Sequence, residues 1–244
     1  MNNQYDRLKI MLEDKLEPLQ DHCILVVGIG GVGSFAVESL ARCGFKRMVI
    51  VDNDVVDITN LNRQLIALHS TLNQPKVEVM KQRIFDINPL CEIKEFPLFL
   101  DVGNIDLVFS EKIDFVIDAC DTIATKLLVI EHCLNNDIAF ISSMGAANKV
   151  DATKVEVVDL TKTYNDPLAK IIRGKVKQLK LKGKIPVVFS SELPNKPTPI
   201  VDLNVTSRKE LPLLGSNAFV PSTFGLVAAN YCFNYLVNKL SNIN

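Results

Sequence analysis

The chain has 244 residues, of which 48% are hydrophobic and 23% charged, and its formal net charge is −1. This composition is typical of a globular protein, and the length suffices for one large domain or one domain with a substantial extension. The six cysteines form no C-x-x-C pair, which argues against a disulfide framework or a zinc site and predicts reduced thiols in a cytoplasmic protein.

Short apolar runs alternate with segments of helical length from Cys23 to Ser142. The alternation predicts an α/β fold: a Rossmann-like, mostly parallel sheet with helices on both faces, followed by a C-terminal α+β extension. The runs are nearly continuous, as in strands that are covered on both sides. Strands are predicted at 23–28, 48–52, 93–96, 115–118 and 139–142, and helices at 32–43, 76–87 and 122–135.

A glycine-rich loop, Gly28-Ile-Gly30-Gly31-Val-Gly33, follows the first predicted strand and opens the first of these helices. In that position a loop brings backbone N–H groups and a helix N-terminus against phosphate. Asp52 ends the second predicted strand, from which a carboxylate binds ribose hydroxyls. Taken alone, these residues fit NAD as well as ATP, and glycines that serve only a turn and helix packing stay open as an alternative.

Amide and cationic side chains follow Asp52 in the sequence. The run that begins at Asp54 leads to Asn60, Arg63 and Gln64, and Lys76 heads the next predicted helix. Arg63 and Lys76 together would neutralise a triphosphate, which NAD lacks, and Asn60 would orient it. These residues therefore favour ATP over NAD.

Two carboxylates, Asp118 and Asp121, end the fourth predicted strand. They are expected at the carboxyl edge of the sheet, where a carboxylate suits Mg²⁺ that is held mostly by water and phosphate oxygens. A hydride-transfer enzyme has no use for this combination of a triphosphate site and a magnesium ligand.

As a set, these motifs resemble the adenylation domain shared by ubiquitin-activating enzymes and the bacterial enzymes that activate sulfur-carrier proteins. The set comprises G-x-G-G-x-G, D-x-D, N-x-N-R-Q, Q-P-K, I-N-P and D-x-x-D, within residues 5–145. The resemblance implies that Asp52 binds the ribose, and that Asn60, Arg63 and Lys76 bind the phosphates. It implies Asp121 as the Mg²⁺ ligand and catalytic carboxylate, together with a homodimer in which Arg7 reaches the triphosphate of the other subunit.

The second half carries a further resemblance. Gly145-Ala-Ala, residues 159–168 and Val188-Phe-Ser-Ser-Glu192 are similar to the tRNA threonylcarbamoyladenosine dehydratases. That family implies ATP-dependent cyclisation of the threonylcarbamoyl group on the adenosine next to the anticodon, through an acyl-adenylate, with release of AMP and pyrophosphate. Because the attacking group lies in the same nucleoside, no enzyme thiol is required. Neither Cys120 nor Cys232 lies in a setting that would lower a thiol pKa.

A basic segment lies in this second half and contains no acid. A run of this kind after a nucleotide-binding domain predicts contact with tRNA phosphates, although a solvated helix or hairpin would also explain it. The predicted RNA-binding residues are Lys170, Arg173, Lys175, Lys177, Lys180, Lys182 and Lys184.

Two parts of the chain are distinguished: a nucleotide-binding adenylation domain at 1–145 and an extension at 146–244 that packs on the same domain. The extension has predicted strands at 154–160 and 186–190, the basic segment, a flap at 193–221 rich in Pro, Asn and Ser, and an apolar helix after Pro221. That helix is close to the length of a membrane span, but its polar residues predict burial, so no stable membrane insertion is expected.

Three other functions stay open. One is adenylation of the C-terminal glycine of a ubiquitin-like or sulfur-carrier protein, which would make a sulfur-transfer protein a partner. Another is an NAD-binding oxidoreductase. The third is a nucleotide-binding scaffold without activity, which would have no need of Asp121.

Overall fold

The computed structural model describes residues 3–195 and 214–241. Within these ranges the strands are β1 Cys23–Val27, β2 Arg47–Val51, β3 Glu92–Phe96, β4 Phe115–Asp118, β5 Ala139–Ser143, β6 Val155–Asp159 and β7 Pro186–Ser190. They form one seven-stranded sheet in the order β3-β2-β1-β4-β5-β7-β6. Every neighbouring pair is parallel except β6 and β7, which are antiparallel. The predicted Rossmann-like α/β fold is confirmed.

Helices cover both faces of this sheet because its strands are apolar on both sides. Ile24 and Val26 of β1 face one hydrophobic layer, and Leu25 and Val27 face the other. The described helices are α1 Asp6–Leu12, α2 Leu16–Gln20, α3 Gly33–Arg42, α4 Lys76–Ile87, α5 Ile105–Val108, α6 Ile123–Asn135, α7 Pro167–Gln178 and α8 Phe219–Ser241. Helices α3, α4 and α8 pack on the first layer, and α6 and α7 pack on the second.

The sheet continues across the boundary placed at residue 145. Strand β5, which lies before it, pairs in parallel with β7, with Ser142 opposite Val187. Strand β6 then pairs with β7 at the edge. The extension therefore contributes two strands and two helices to the layers that the first 145 residues begin.

The start of the last helix corrects the prediction. Helix α8 begins at Phe219, two residues before Pro221. The amide oxygen of Asn217 accepts hydrogen bonds from the N–H groups of Phe219 (3.0 Å) and Val220 (2.9 Å). Pro221 therefore falls in the first turn, where its missing N–H leaves no intrahelical bond unmade. Most of the flap predicted at 193–221 falls on residues 196–213, outside the described residues.

Helix α8 is packed against the sheet and against α3. It buries Phe224, Ala228, Cys232 and Leu236. Gly225 permits the approach to α3, since a Cβ at that position would collide with the carbonyl oxygen of Val32. None of the helices in residues 3–195 and 214–241 is long and apolar enough to span a membrane.

Two helical glycines give opposite predictions for the same substitution. We expect Gly225→Ala to lower the free energy of unfolding by about 1–3 kcal/mol, because the added methyl group overpacks the α3–α8 contact. At Gly174 in α7, nothing lies within 4 Å of an added Cβ. Gly174→Ala should therefore raise the free energy of unfolding by about 0.5–1 kcal/mol through helix propensity. Urea denaturation measures both values, and changes of the same sign would contradict the packing described here.

Candidate active site

A cleft of about 710 Å³ opens at the carboxyl ends of the central strands. It lies where the strand order reverses, between β1 and β4, which is where ligands bind in open α/β sheets. The loops after β1, β2, β3, β4 and β5 line it, together with the start of α4. The sheet topology therefore brings together the segments that the sequence motifs singled out.

The four glycines of this loop allow close backbone packing or expose the backbone to the cleft. Gly28 has φ +91°, and a Cβ there would lie 2.9 Å from the carbonyl carbon of Ala119 in the loop after β4. A Cβ on Gly33, the first residue of α3, would collide with the carbonyl oxygen of Gly28. Gly28, Gly30 and Gly31 line the cleft itself. The loop thus needs glycine for close backbone contact at Gly28 and Gly33, and it exposes backbone to the cleft at Gly30 and Gly31.

Asp52 is held in a fixed orientation at the end of β2. Its Oδ2 accepts a hydrogen bond from the N–H of Ile29 (2.6 Å), and its Oδ1 accepts one from the N–H of Asp54 (2.8 Å). Burial raises the pKa of Asp52, and the positive charge of Lys76 acts against that shift. The carboxylate therefore lies beside the glycine loop, as a ribose-binding acid requires.

Both predicted cations line the cleft and have partners. Lys76 is only 4% exposed, and its Nζ lies 2.7 Å from Oδ2 of the exposed Asp54. Arg63 donates through Nη1 to the carbonyl oxygen of Thr59 and to Oδ1 of Asn62, each at 2.9 Å. An incoming phosphate would compete with an exposed carboxylate for Lys76, while the remaining N–H groups of Arg63 stay available to it.

Two amides, Asn60 and Gln64, lie buried in the cleft wall. Asn60 Oδ1 accepts a hydrogen bond from the N–H of Asp57 (3.2 Å), which fixes its side chain. Gln64 Oε1 is buried and has no hydrogen-bond partner among the described residues. Buried polar atoms are rarely left unpaired, so a water molecule or a donor group of a ligand would complete the hydrogen bonding of this oxygen.

The two carboxylates at the carboxyl end of β4 have different environments, which the sequence motif did not distinguish. Asp118 is fully buried, and its Oδ2 lies 2.8 Å from Lys126 Nζ and accepts a hydrogen bond from Ser142 Oγ (2.5 Å). Burial lowers the pKa of Lys126, but the charge of Asp118 outweighs it and the pKa is raised. Asp121 is exposed and lines the cleft. Only Asp121 is therefore available to a ligand.

Sequence reasoning missed Lys126. The signal was its position in α6, at the apolar spacing that Val129, Ile130 and Cys133 continue. A lysine at such a position is buried only if it is paired. The nearby Asp118 was the available partner.

A second buried ion pair, also missed, ties α7 to the cleft wall. Lys149 Nζ lies 3.3 Å from Asp166 Oδ2, which also accepts a hydrogen bond from the N–H of Gly145 (3.0 Å) in the loop that lines the cleft. Asp166 Oδ1 accepts one from the N–H of Ala169 (2.9 Å) and caps α7. One carboxylate therefore fixes the start of α7 relative to the cleft.

Neither Cys120 nor Cys232 has the environment of a nucleophile. Cys120 lines the cleft, but its Sγ lies 3.0 Å from Asp118 Oδ1, and burial together with that negative charge raises the thiol pKa well above its usual value. Cys232 is fully buried in α8, and burial raises its pKa strongly. Both thiols therefore stay protonated near neutral pH, where only a thiolate would attack.

The remaining predicted residues lie away from the cleft. Arg7 is exposed on α1 and is not among the residues that line the cleft of its own chain. The six lysines from Lys170 to Lys184 are exposed, and none makes an ion pair with a described residue. Arg173 is half-buried and donates to the carbonyl oxygen of Thr163 (2.8 Å).

The described residues contain no cluster of three or more His, Cys, Asp or Glu side chains that could hold a metal ion. Asp121 is the predicted metal ligand. Magnesium is commonly held by one or two carboxylates together with water and phosphate oxygens. The exposed Asp121 fits that arrangement.

Fold and cleft together define a nucleotide-binding α/β protein whose site suits an adenylating enzyme. Comparison with protein families matches residues 1–243 to the ThiF family, and the chain belongs to that family.

Relatives of known name support this placement. The chain is 44% identical over 239 residues to the tRNA threonylcarbamoyladenosine dehydratase of Bacillus subtilis, covering 95% of this chain and 93% of that protein. It is 35% identical over 242 residues to the Escherichia coli enzyme of the same name, covering 93% and 90%. The crystal structure of an E. coli tRNA N6-threonylcarbamoyladenosine dehydratase in complex with ATP superposes with a TM-score of 0.87, at 32% identity, over 99% of this chain and 96% of that chain.

The two cysteines should differ in their effect on stability. We expect Cys232→Ser to lower the free energy of unfolding by about 1–3 kcal/mol, because a hydroxyl is buried among apolar groups. Cys120→Ser should lower the free energy of unfolding by less, since the new hydroxyl can donate a hydrogen bond to Asp118. Both folded variants should keep the specific activity of the parent. A folded, ATP-binding but inactive Cys120→Ser or Cys232→Ser protein would instead indicate a thioester mechanism.

Proposed function

We propose that this chain is a ligase-type adenylating enzyme that dehydrates N6-threonylcarbamoyladenosine in tRNA, using ATP and releasing AMP and pyrophosphate. The observation that carries the proposal is similarity to enzymes of that name over nearly their whole length. One cleft also contains Arg63, Lys76 and Asp121. The relatives' names favour this function over adenylation of a ubiquitin-like or sulfur-carrier protein.

ATP fits the cleft from the glycine loop outward. The backbone at Gly30 and Gly31 and the N-terminus of α3 would receive phosphate, and Asp52 would bind the ribose hydroxyls. Arg63 and Lys76 would bind the phosphates, with Asn60 beside them. Gln64 would use its unpaired Oε1 to accept a hydrogen bond from the nucleotide.

Asp121 would hold Mg²⁺ with phosphate oxygens and water. When bound, the ion would neutralise charge on the phosphates and polarise them. Arg63 and Lys76 act in the same direction, because they stabilise the negative charge that develops on the phosphates during the reaction.

In the proposed reaction the threonylcarbamoyl carboxylate attacks the α-phosphorus of ATP, and pyrophosphate leaves. A group of the same modified nucleoside then attacks the acyl carbon, and AMP leaves. Since the second step is intramolecular, the substrate supplies its own nucleophile at high effective concentration. The buried, protonated thiols of Cys120 and Cys232 are consistent with a reaction in which no enzyme thiol takes part.

The proposal also covers the oligomeric state of the protein and its location in the cell. We propose a homodimer in which Arg7, exposed and outside its own cleft, reaches the triphosphate of the partner subunit. The six cysteines, all described and unpaired, support a reducing compartment, and we propose the cytoplasm. A sulfur-transfer protein is proposed only as an additional partner, since the reaction itself moves no sulfur.

The substrate requirement tests the function directly. We expect exchange of radioactive pyrophosphate into ATP with threonylcarbamoyl-modified tRNA, and none with unmodified tRNA or without tRNA. Asp121→Ala should fold and lose this exchange, because the Mg²⁺-bound triphosphate loses its carboxylate. Exchange that depends on a small protein ending in Gly-Gly would contradict the proposal. An Asp121→Ala rate within about tenfold of the parent would contradict the role of Asp121.

The basic segment is proposed to hold the tRNA backbone. We expect the triple change of Lys175, Lys177 and Lys180 to alanine to weaken tRNA binding. It should also flatten the log–log salt dependence by roughly one unit per lost phosphate contact. ATP binding should not change, because Arg63 and Lys76 remain.

A matched control is the triple change of Lys9, Lys112 and Lys239 to alanine. These lysines are also exposed, and the triple change alters the net charge by the same amount. If both triple variants showed the same tRNA affinity and salt slope as the parent, the basic segment would be only a solvated surface.

A further inference from the structure

A second cavity, of about 530 Å³, lies beside the middle and the end of α7; we call it the α7 groove. Its floor is apolar and consists of Leu160, Val176, Leu181 and Ile185. Its size is within the range of small-molecule and cofactor sites. A groove of this size with an apolar floor suits a flat, partly apolar group such as a nucleobase.

The rim of the α7 groove is positive. Lys170, Arg173 and Lys177 line it, and the acid among the lining residues is Asp159. Both carboxylate oxygens of Asp159 accept internal hydrogen bonds, from the N–H groups of Thr161 (2.9 Å) and Ile185 (3.2 Å). The groove therefore presents an excess of positive charge beside an apolar floor, which complements the phosphates and base of a nucleotide.

Arg173 gives the groove a fixed planar group. Its Nη1 donates to the carbonyl oxygen of Thr163 (2.8 Å), and the residue is half-buried. A guanidinium held in this way keeps one orientation and can stack against a nucleobase. This contact distinguishes Arg173 from the exposed lysines around it.

Helix α7 contributes residues to both the cleft and the α7 groove. Leu168 lines the cleft, and Gly174 lines the groove. Six residues of an α-helix rise about 9 Å along its axis, so a short single-stranded segment that runs along α7 would reach from one cavity to the other. Asp166 holds the start of the helix to Gly145 in the cleft wall, so the spacing between the two cavities is fixed.

We propose that the α7 groove binds the base of a nucleotide that neighbours the modified adenosine, while the cleft binds the modified base. This inference rests on the proposed function. A base that enters a cleft loses its stacking on its neighbours, at a cost of a few kcal/mol. Single-stranded RNA is commonly bound by splaying bases apart onto apolar or guanidinium surfaces. The groove supplies such a surface for the neighbour, and its lysines bind the adjoining phosphates.

Gly174 offers a substitution that adds a side chain at the wall of the groove without disturbing the fold. It lines the groove in mid-helix, with nothing within 4 Å of an added Cβ. Leucine and alanine are both better helix formers than glycine. We expect Gly174→Leu to weaken binding of a modified anticodon stem–loop by about tenfold, and Gly174→Ala to leave it within about twofold. The salt slope should stay the same in both, because no phosphate contact is removed.

A second measurement assigns the effect to one base. Modified anticodon stem–loops with an abasic nucleotide directly before or directly after the modified adenosine are titrated against the parent and both Gly174 variants. At one of the two positions, base loss should weaken binding by the parent and by Gly174→Ala, but should not weaken Gly174→Leu further. Equal effects of base loss on all three proteins would overturn the proposal.

The two proposals fail in different ways. If parental pyrophosphate exchange depends on modified tRNA but Gly174→Leu binds as tightly as Gly174→Ala, the groove proposal is wrong and the proposed function stands. That result is also the one expected if the groove accepts a protein segment instead. If parental exchange does not depend on modified tRNA, the proposed function fails and the groove proposal fails with it.

Discussion

Lys126, Asp118 and Ser142 meet at the carboxyl end of β4, fully buried beneath the cleft. A buried charge without a partner is strongly destabilising. Removing one partner of a buried ion pair typically lowers the free energy of unfolding by about 3–5 kcal/mol. The contact therefore holds the end of β4, the neighbouring strand β5 and helix α6 in one arrangement. Asp118 Oδ1 also accepts a hydrogen bond from the N–H of Cys120 (3.2 Å), which continues the constraint into the loop that carries Asp121. Gly28 packs against Ala119 of the same loop, so the glycine loop and the carboxylate share one junction.

A similar arrangement connects the cleft to the basic surface. Asp166 pairs with Lys149, binds the N–H of Gly145 and caps α7, all with one carboxylate. The helix that carries the first four basic residues of the segment is thus attached to the cleft wall by a buried ion pair. For an enzyme that must place one base of a large RNA, this attachment gives the RNA-binding surface a defined position relative to the ATP site. The α7 groove is a concave part of that surface, with apolar as well as basic lining residues.

Local patterns in the sequence were enough for the elements that form the site. Helix α4 begins at Lys76 and ends at Ile87 as predicted, and β4 covers the predicted residues, because apolar spacing and strand-end signals are local. Asp118 and Asp121 could not be separated in this way, since burial of Asp118 depends on Lys126 and Ser142 from other elements. The predicted start of α8 after Pro221 is wrong, because the cap from Asn217 sets the start of the helix at Phe219. The groove was not predictable either, because Leu160 and Ile185 meet α7 only in the folded chain.

The central claim is that the substrate carboxylate attacks the α-phosphorus of ATP in the cleft that contains Arg63, Lys76 and Asp121. The most direct measurement places a heavy oxygen isotope in the threonylcarbamoyl carboxylate of the tRNA and follows it by mass spectrometry during ATP-dependent dehydration. Attack at the α-phosphorus predicts one labelled oxygen in each AMP released, and no label in pyrophosphate. Label that appears in water, or in inorganic phosphate with ADP as the nucleotide product, would contradict adenylation and with it the assignment of the cleft.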